Sequence, residues 1–211
     1  MGAKNWMLVY ANGNVGDVLK ARPVLDRAAS QQFASSLFPK EKLEPIGDGD
    51  LSYACPPNNE LYIGCYSGVS IMAAKEFGFD YPSKLRQPFI AAGGTGTVYL
   101  RAMHSVVDWF ACAKWINGKL VRSLSLSPDS GILEDIGGRL PFEEPYWAGE
   151  HPATLDPEDD YVFPFHPLEL GEAALKEFFG YQLEGDNDPS LLDPESILLV
   201  KYKRQSRWKF W

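Results

Sequence analysis

The side chains best suited to covalent chemistry are Cys65, His104 and Asp108. Cys65 stands in Gly64-Cys65-Tyr66-Ser67-Gly68, between an apolar run, Leu61–Cys65, that reads as a buried strand and a stretch, Val69–Phe77, that reads as a helix. A sharp turn at such a junction exposes a thiol beside a helix N-terminus, the setting of a nucleophile elbow, where the thiolate is favoured. A thiol nucleophile needs a base, and His104 followed by Asp108 supplies an imidazole and a carboxylate to orient it. That reading makes the protein a small cysteine-dependent hydrolase or transferase. Against it, the residue centred between the glycines is Tyr66, not Cys65. A free cysteine is more commonly a small buried hydrophobe. The expectation is therefore a buried Cys65 beyond hydrogen-bond reach of His104.

The other candidates are binding residues. Val107–Ile116 and Lys119–Leu126 are strand-like and flank Asn117-Gly118, the pair that most readily closes a two-residue hairpin. Uninterrupted pairing would set Trp115 opposite Leu120, Ala113 opposite Arg122 and Trp109 opposite Leu126, all on one face. The face is either core, with Arg122 at its edge, or a groove between two indoles with Arg122 as an anion or aromatic partner. Downstream, Asp129–Asp160 holds ten carboxylates and one basic residue, Arg139. Phe142, Tyr146 and Trp147 are set among them, beside Glu143 and Glu144. Acidic charge steers a basic protein partner and an exposed ring anchors it. The competing reading has the aromatics clamping the loop to its own core.

Other patterns carry less. His104, His151 and His166 lack the short spacings of a metal site, so no metal is expected. Gly13 and Gly16 lack the lysine of a phosphate loop and the third glycine of a dinucleotide fingerprint, and no cofactor is implied. The paired carboxylates Glu134-Asp135 and Glu143-Glu144 suit acid–base work, but nothing specifies a substrate. Cys55, Cys65 and Cys112 are odd in number and widely spaced, which argues against a disulfide framework and fits a reducing cytoplasm. A net charge of −8 disfavours general nucleic-acid binding. No apolar run approaches the ~18 residues of a membrane span, and the first residues do not read as a signal peptide.

These residues are positioned by the following expected elements. Trp6–Ala11 is a buried strand, Val15–Ala21 a helix, and Val24–Leu37 a second helix with Pro23 in its first turn. Glu41–Pro57 reads as a loop-rich connector. After Leu61–Cys65 and Val69–Phe77 come a Gly/Pro-rich segment, a strand at Thr97–Met103, the hairpin, and a short strand at Ile132–Ile136. Pro141–Pro167 is read as extended. Leu168–Phe179 is a helix ended by Gly180, and Asp193-Pro194-Glu195 a cap. The fold class is α+β: an N-terminal strand–helix–strand–helix half joined to an antiparallel meander, as a single mixed sheet flanked by helices. Residues 1–200 form one domain, and residues 201–211, KYKRQSRWKFW, a basic aromatic tail.

The runs YLRAMHSVVDWFACAKW, GKLVRSLSLSPDSGILEDIG and LPFEEPYWAGEHP, with MGAKNWMLVYANG and PFHPLELGEAAL, resemble an uncharacterised bacterial protein family, a domain of unknown function. The resemblance spans roughly Met1–Ile197 and leaves the basic end outside. It implies a small soluble bacterial protein with no established activity, and it assigns no functional residues. The function read from the residues is a non-enzymatic cytoplasmic protein-binding protein of the immunity or accessory kind.

Overall fold

The computed structural model describes residues 4–153, 161–185 and 188–206. Strands β1 (Lys4–Ala11), β2 (Glu41–Asp50), β3 (Glu60–Tyr66), β4 (Val69–Ala73), β5 (Thr97–His104), β6 (Trp109–Ile116), β7 (Lys119–Ser127), β8 (Gly131–Ile136) and β9 (Leu198–Ser206) form one open sheet. Its nine strands run in the order β2-β9-β3-β4-β1-β5-β6-β7-β8. Every neighbouring pair is antiparallel, so the sheet is not mixed as expected. The helices are α1 (Val15–Lys20), α2 (Arg27–Leu37), α3 (Gln87–Ala91), α4 (Glu144–Trp147) and α5 (Pro167–Phe179).

Both faces of the sheet are covered, which explains why β1 reads as unbroken apolar sequence instead of alternating. Met7, Val9 and Ala11 enter a core shared with α1 and α5. Trp6, Leu8 and Tyr10 enter a second core, under α2 and α3, with Ala34, Phe89 and Ile90. Short polar side chains set the helix starts. Asn14 accepts from Asp17 N–H at 2.9 Å, and Asp26 from Ala29 N–H at 2.8 Å, each satisfying an otherwise orphan donor. Asp26, not Pro23, therefore begins α2. Gly180, at φ 78°, ends α5 where expected.

The N-terminal half departs from the strand–helix–strand–helix expectation twice. Glu41–Asp50, expected as connector, is edge strand β2. Its Pro45 costs no ladder bond, because β2 pairs only with β9 and a bulge between Pro45 and Gly47 breaks the register there. Val69–Phe77, expected as a helix, is β4 followed by a single 3-10 turn at Lys75–Phe77. Ser67-Gly68, with Gly68 at φ 85°, folds β4 back so that Tyr66 pairs with Val69. The short apolar run fits either period, and the turn decided it.

The meander β5–β8 forms as expected, with one change of register. Asn117 and Gly118 have φ 51° and 72°, and Trp115 faces Leu120. Beyond that, Val121 bulges out: Lys114 faces Arg122, Ala113 faces Ser123 and Phe110 faces Leu126. The extra residue sends Arg122 to the opposite face. Gly137 (φ 86°) lies against the bulge, where a Cβ would stand 2.1 Å from the Val121 carbonyl oxygen. The expected C-terminal tail contributes strand through Ser206, inserted between β2 and β3, and Arg207–Trp211 lie outside the described residues.

Candidate functional site

The structure keeps Cys65 far from His104 and Asp108. Cys65 faces Ser70 on β4, Ser70 faces Tyr10 on β1, and Tyr10 faces Val98 on β5, six residues before His104. Three strand spacings across and six residues along put Cys65 roughly 25 Å from His104. A hairpin, not a helix, follows Cys65, and the helix start beside it is that of α2, whose N-cap Asp26 donates its N–H to the Cys65 carbonyl at 2.9 Å. Cys65 is 6% exposed, as expected, and burial pushes its pKa up, opposite to what a nucleophile needs. Burial also lowers the His104 pKa, helped by Lys4 and Lys75, while the ring packs 5.7 Å from Trp6. Asp108 sits at φ 45°, with its carboxylate 3.7 Å from His166 Nε2.

The hairpin residues are buried as well. Trp109 and Trp115 are buried in the core beneath α2 and α3, and Trp109 Nε1 donates to Ser125 Oγ at 3.1 Å. No slot opens between the indoles for Arg122, because the Val121 bulge has moved it to the α5 face. There the guanidinium, 0% exposed, donates to both carboxylate oxygens of the equally buried Glu143, at 2.7 Å for the ion pair. Asp135 accepts from Nη1 at 2.5 Å, and the Ile136 carbonyl at 3.1 Å. Burial alone would lower the Arg122 pKa, but these two carboxylates outweigh it and raise it. Glu143 also accepts from Leu140 N–H, so the pair fastens residues 140–147 to the sheet. Glu134, 8% exposed, is likewise consumed internally, by Ser83 and Ser123. Glu134 and Glu143 thus point inward, whereas Asp129, Asp135, Glu144 and Glu150 are exposed.

What remains exposed gathers over α5. A cleft of about 670 Å³ is lined by Tyr146, His151, His166, Glu169, Glu172 and Lys176, among others. Tyr146 stacks on His151 with centroids 4.3 Å apart and planes at 20°. Its other side meets the edge of Phe165, and Trp147 packs on the same ring at 4.8 Å. Arg139 lies 4.4 Å over the Trp147 indole. Tyr146 and Trp147 therefore clamp the loop, and Tyr146 also walls the cleft. Glu144 is exposed on the same short helix, α4.

The floor of the cleft carries its chemistry. Glu172 Oε2 accepts from Leu183 N–H at 2.7 Å, whereas Oε1 is buried without a partner among the described residues. Burial raises the Glu172 pKa, against the opposing pull of the positive Arg101 beneath it. Lys176 is turned to Asp188 at 3.2 Å, leaving the cleft an excess of negative charge from Glu169 and Glu172. Such an arrangement suits a cation: carboxylates supply charge and aromatic faces supply their quadrupole. Among the described residues no three His, Cys, Asp or Glu side chains converge in a metal-like group.

The sequence singled out Tyr146 but not Glu169, Glu172 or Lys176. The signal was there in spacing, since Glu169, Glu172 and Lys176 recur at three- and four-residue intervals along one helix face.

An open antiparallel sheet with helices packed on both faces, and a charged cleft over one of them, makes this an α+β protein that is mostly sheet. A family model for DUF6928, a family of unknown function, matches residues 5–202, and the chain belongs to that family. No curated protein and no solved structure matches it. No helix among the described residues is long and apolar enough to cross a membrane.

Proposed function

We propose that this is a non-enzymatic cytoplasmic binding protein, of the immunity or accessory kind, whose α5 cleft receives a lysine or arginine side chain from a basic protein partner. One observation carries the reading: stacked Tyr146 and His151 wall a cleft whose lining also holds the carboxylates of Glu169 and Glu172. Carboxylates supply charge and aromatic faces their quadrupole, the two features that draw a cationic side chain. Glu169 and the exposed Glu144 and Glu150 extend the negative field around the opening and favour encounter with a basic surface.

The test is NMR titration with a short arginine-containing peptide and an acidic control of equal length. The arginine peptide should shift amides lining the cleft, while the control should not. Glu172→Gln should weaken binding roughly tenfold, the effect of about 1.4 kcal/mol. Tyr146→Ala should weaken it further, and high salt should slow association by screening. Equal binding by the wild type and Glu172→Gln, or shifts confined to other surfaces, would end this reading.

A further inference from the structure

We propose that the Lys4 end of β1, on the face of the sheet opposite the α5 cleft, holds a dianionic phosphate group, free or on a small molecule, between the ammonium groups of Lys4 and Lys75 and the imidazole of His104. Three elements bring these side chains to one ring. The β1–β5 register sets Lys4 directly opposite His104, and alternation along β1 puts Lys4 on the same face as Trp6. The 3-10 turn after β4 folds over that ring, with Ala74 N–H donating to the Trp6 carbonyl at 3.2 Å. Gly78 lets the turn come close, since a Cβ there would fall 2.7 Å from Trp6 Cε3. Lys75 Nζ ends 4.1 Å from the Trp6 ring centroid and Lys4 Nζ 5.2 Å, with the His104 ring at 5.7 Å. Lys75 is exposed and Lys4 and His104 are half-buried, so an ion reaches all three from solvent.

The positive charge there is uncompensated. Neither ammonium forms an ion pair among the described residues, although the chain carries a net charge of −8. The charges that act on His104 are these two lysines, and the same two act on the nearby Cys55 thiol. Like charges gathered at one ring repel, and the indole returns only about 0.5–1 kcal/mol to an exposed cation. An anion seated between them replaces the repulsion by attraction.

Donors and charge specify the anion. Val106 N–H donates to His104 Nδ1 at 3.3 Å, so the proton of the neutral ring sits on Nε2. Nε2 is neither buried nor bonded among the described residues, which leaves its N–H free to donate outward. Burial, then the two lysines, hold the His104 pKa below its ordinary value, so the ring is neutral at about pH 7.5. The site then offers two positive charges and N–H donors on three side chains. A phosphate dianion, with three strong acceptor oxygens, matches both; a carboxylate carries half the charge.

Inorganic phosphate and methyl phosphate are the probes, at about pH 7.5 and constant ionic strength, with sodium chloride as reference. NMR follows the His104 ring and the Lys75 and Val106 amides. Both probes should bind in the millimolar range and shift these signals where chloride does not. Tighter binding of methyl phosphate would identify an ester as the ligand, and equal or tighter binding of inorganic phosphate the free ion. Lys4→Gln and Lys75→Gln should each weaken phosphate roughly three- to tenfold, the effect of one charged contact at a solvated site. Lys119→Gln, the same charge change at the exposed hairpin turn, should leave it unaltered. Lys75→Gln should also raise the His104 pKa, because removing a nearby positive charge favours the imidazolium. Shifts no larger than in chloride, equal weakening by Lys119→Gln and Lys75→Gln, or a His104 pKa unmoved by Lys75→Gln would overturn the proposal.

Discussion

Two arginines lie on the same face of the sheet, both 0% exposed, and they are treated in opposite ways. Arg122 on β7 is met by two carboxylates and the Ile136 carbonyl. Arg101 on β5 has the Gly171 carbonyl at 3.0 Å and the Met103 sulfur at 3.2 Å, while its Nε and Nη1 are unpaired among the described residues. Burial lowers its pKa, and Glu172, too distant for an ion pair, is the foremost charge opposing that. The difference follows position. Arg122 lies one strand from the sheet edge, where an acidic loop can wrap over it. Arg101 is mid-sheet beneath α5, whose nearby carboxylate belongs to the cleft. One guanidinium is a fastener; the other is a fixed positive charge behind the cleft.

The contrast is broken most directly by removing charge from each. Arg122→Met should cost about 3–5 kcal/mol, because it strands Glu143 in the interior. The urea midpoint should fall accordingly at an unchanged slope. Arg101→Met should be neutral or stabilising in the same assay, since it replaces a poorly paired buried cation by an apolar chain of similar length. A loss as large as that of Arg122→Met would mean that Arg101 is fully paired and the contrast false.

Glu172→Gln sharpens the comparison through pH. The Glu172 pKa is raised in the folded state, so folding favours its protonated form. Its contribution is fully present below the unfolded value, about 4.3, and is lost as pH rises through the folded value. Glu172→Gln should therefore gain stability relative to wild type as pH rises from 4 to about 7. A constant difference across that range would show that Glu172 is not desolvated. The smallest effect belongs to Asp135→Asn. Its side chain is 36% exposed, and solvent screening should hold the loss to about 1 kcal/mol or less.

The same two regions show what could be read in advance. The hairpin around Asn117-Gly118 was legible because a two-residue turn imposes local geometry. The bulge at Val121 was not: nothing within β7 announces an extra residue, and the groups that meet it and Arg122, Gly137 and Glu143, are distant in sequence. With the bulge unseen, Arg122 was assigned to the wrong face, and the groove reading for Trp109 and Trp115 went with it. Glu41–Asp50 carries Pro45, Gly47 and Gly49, all turn formers, and becomes a strand only because β9 pairs with it. Burial of Cys65 was legible from residue type. Of the cleft, Tyr146 was visible as an aromatic among acids, but Glu172 is ordinary helix surface until the turn at Leu183 folds over it and Arg101 lies beneath.

The position of β9 bears on how the chain is made. β2 and β3 are joined in the sheet only through β9, which leaves the ribosome more than a hundred residues later. At about 5–20 residues per second, β2 waits roughly 8–30 s without a neighbour. An unpaired strand held open that long invites pairing with other nascent chains. Glu41, Glu44, Asp48 and Asp50, with Pro45 and two glycines, make β2 a poor template for such pairing. The features that disguised it as a connector are those that keep it harmless while it waits.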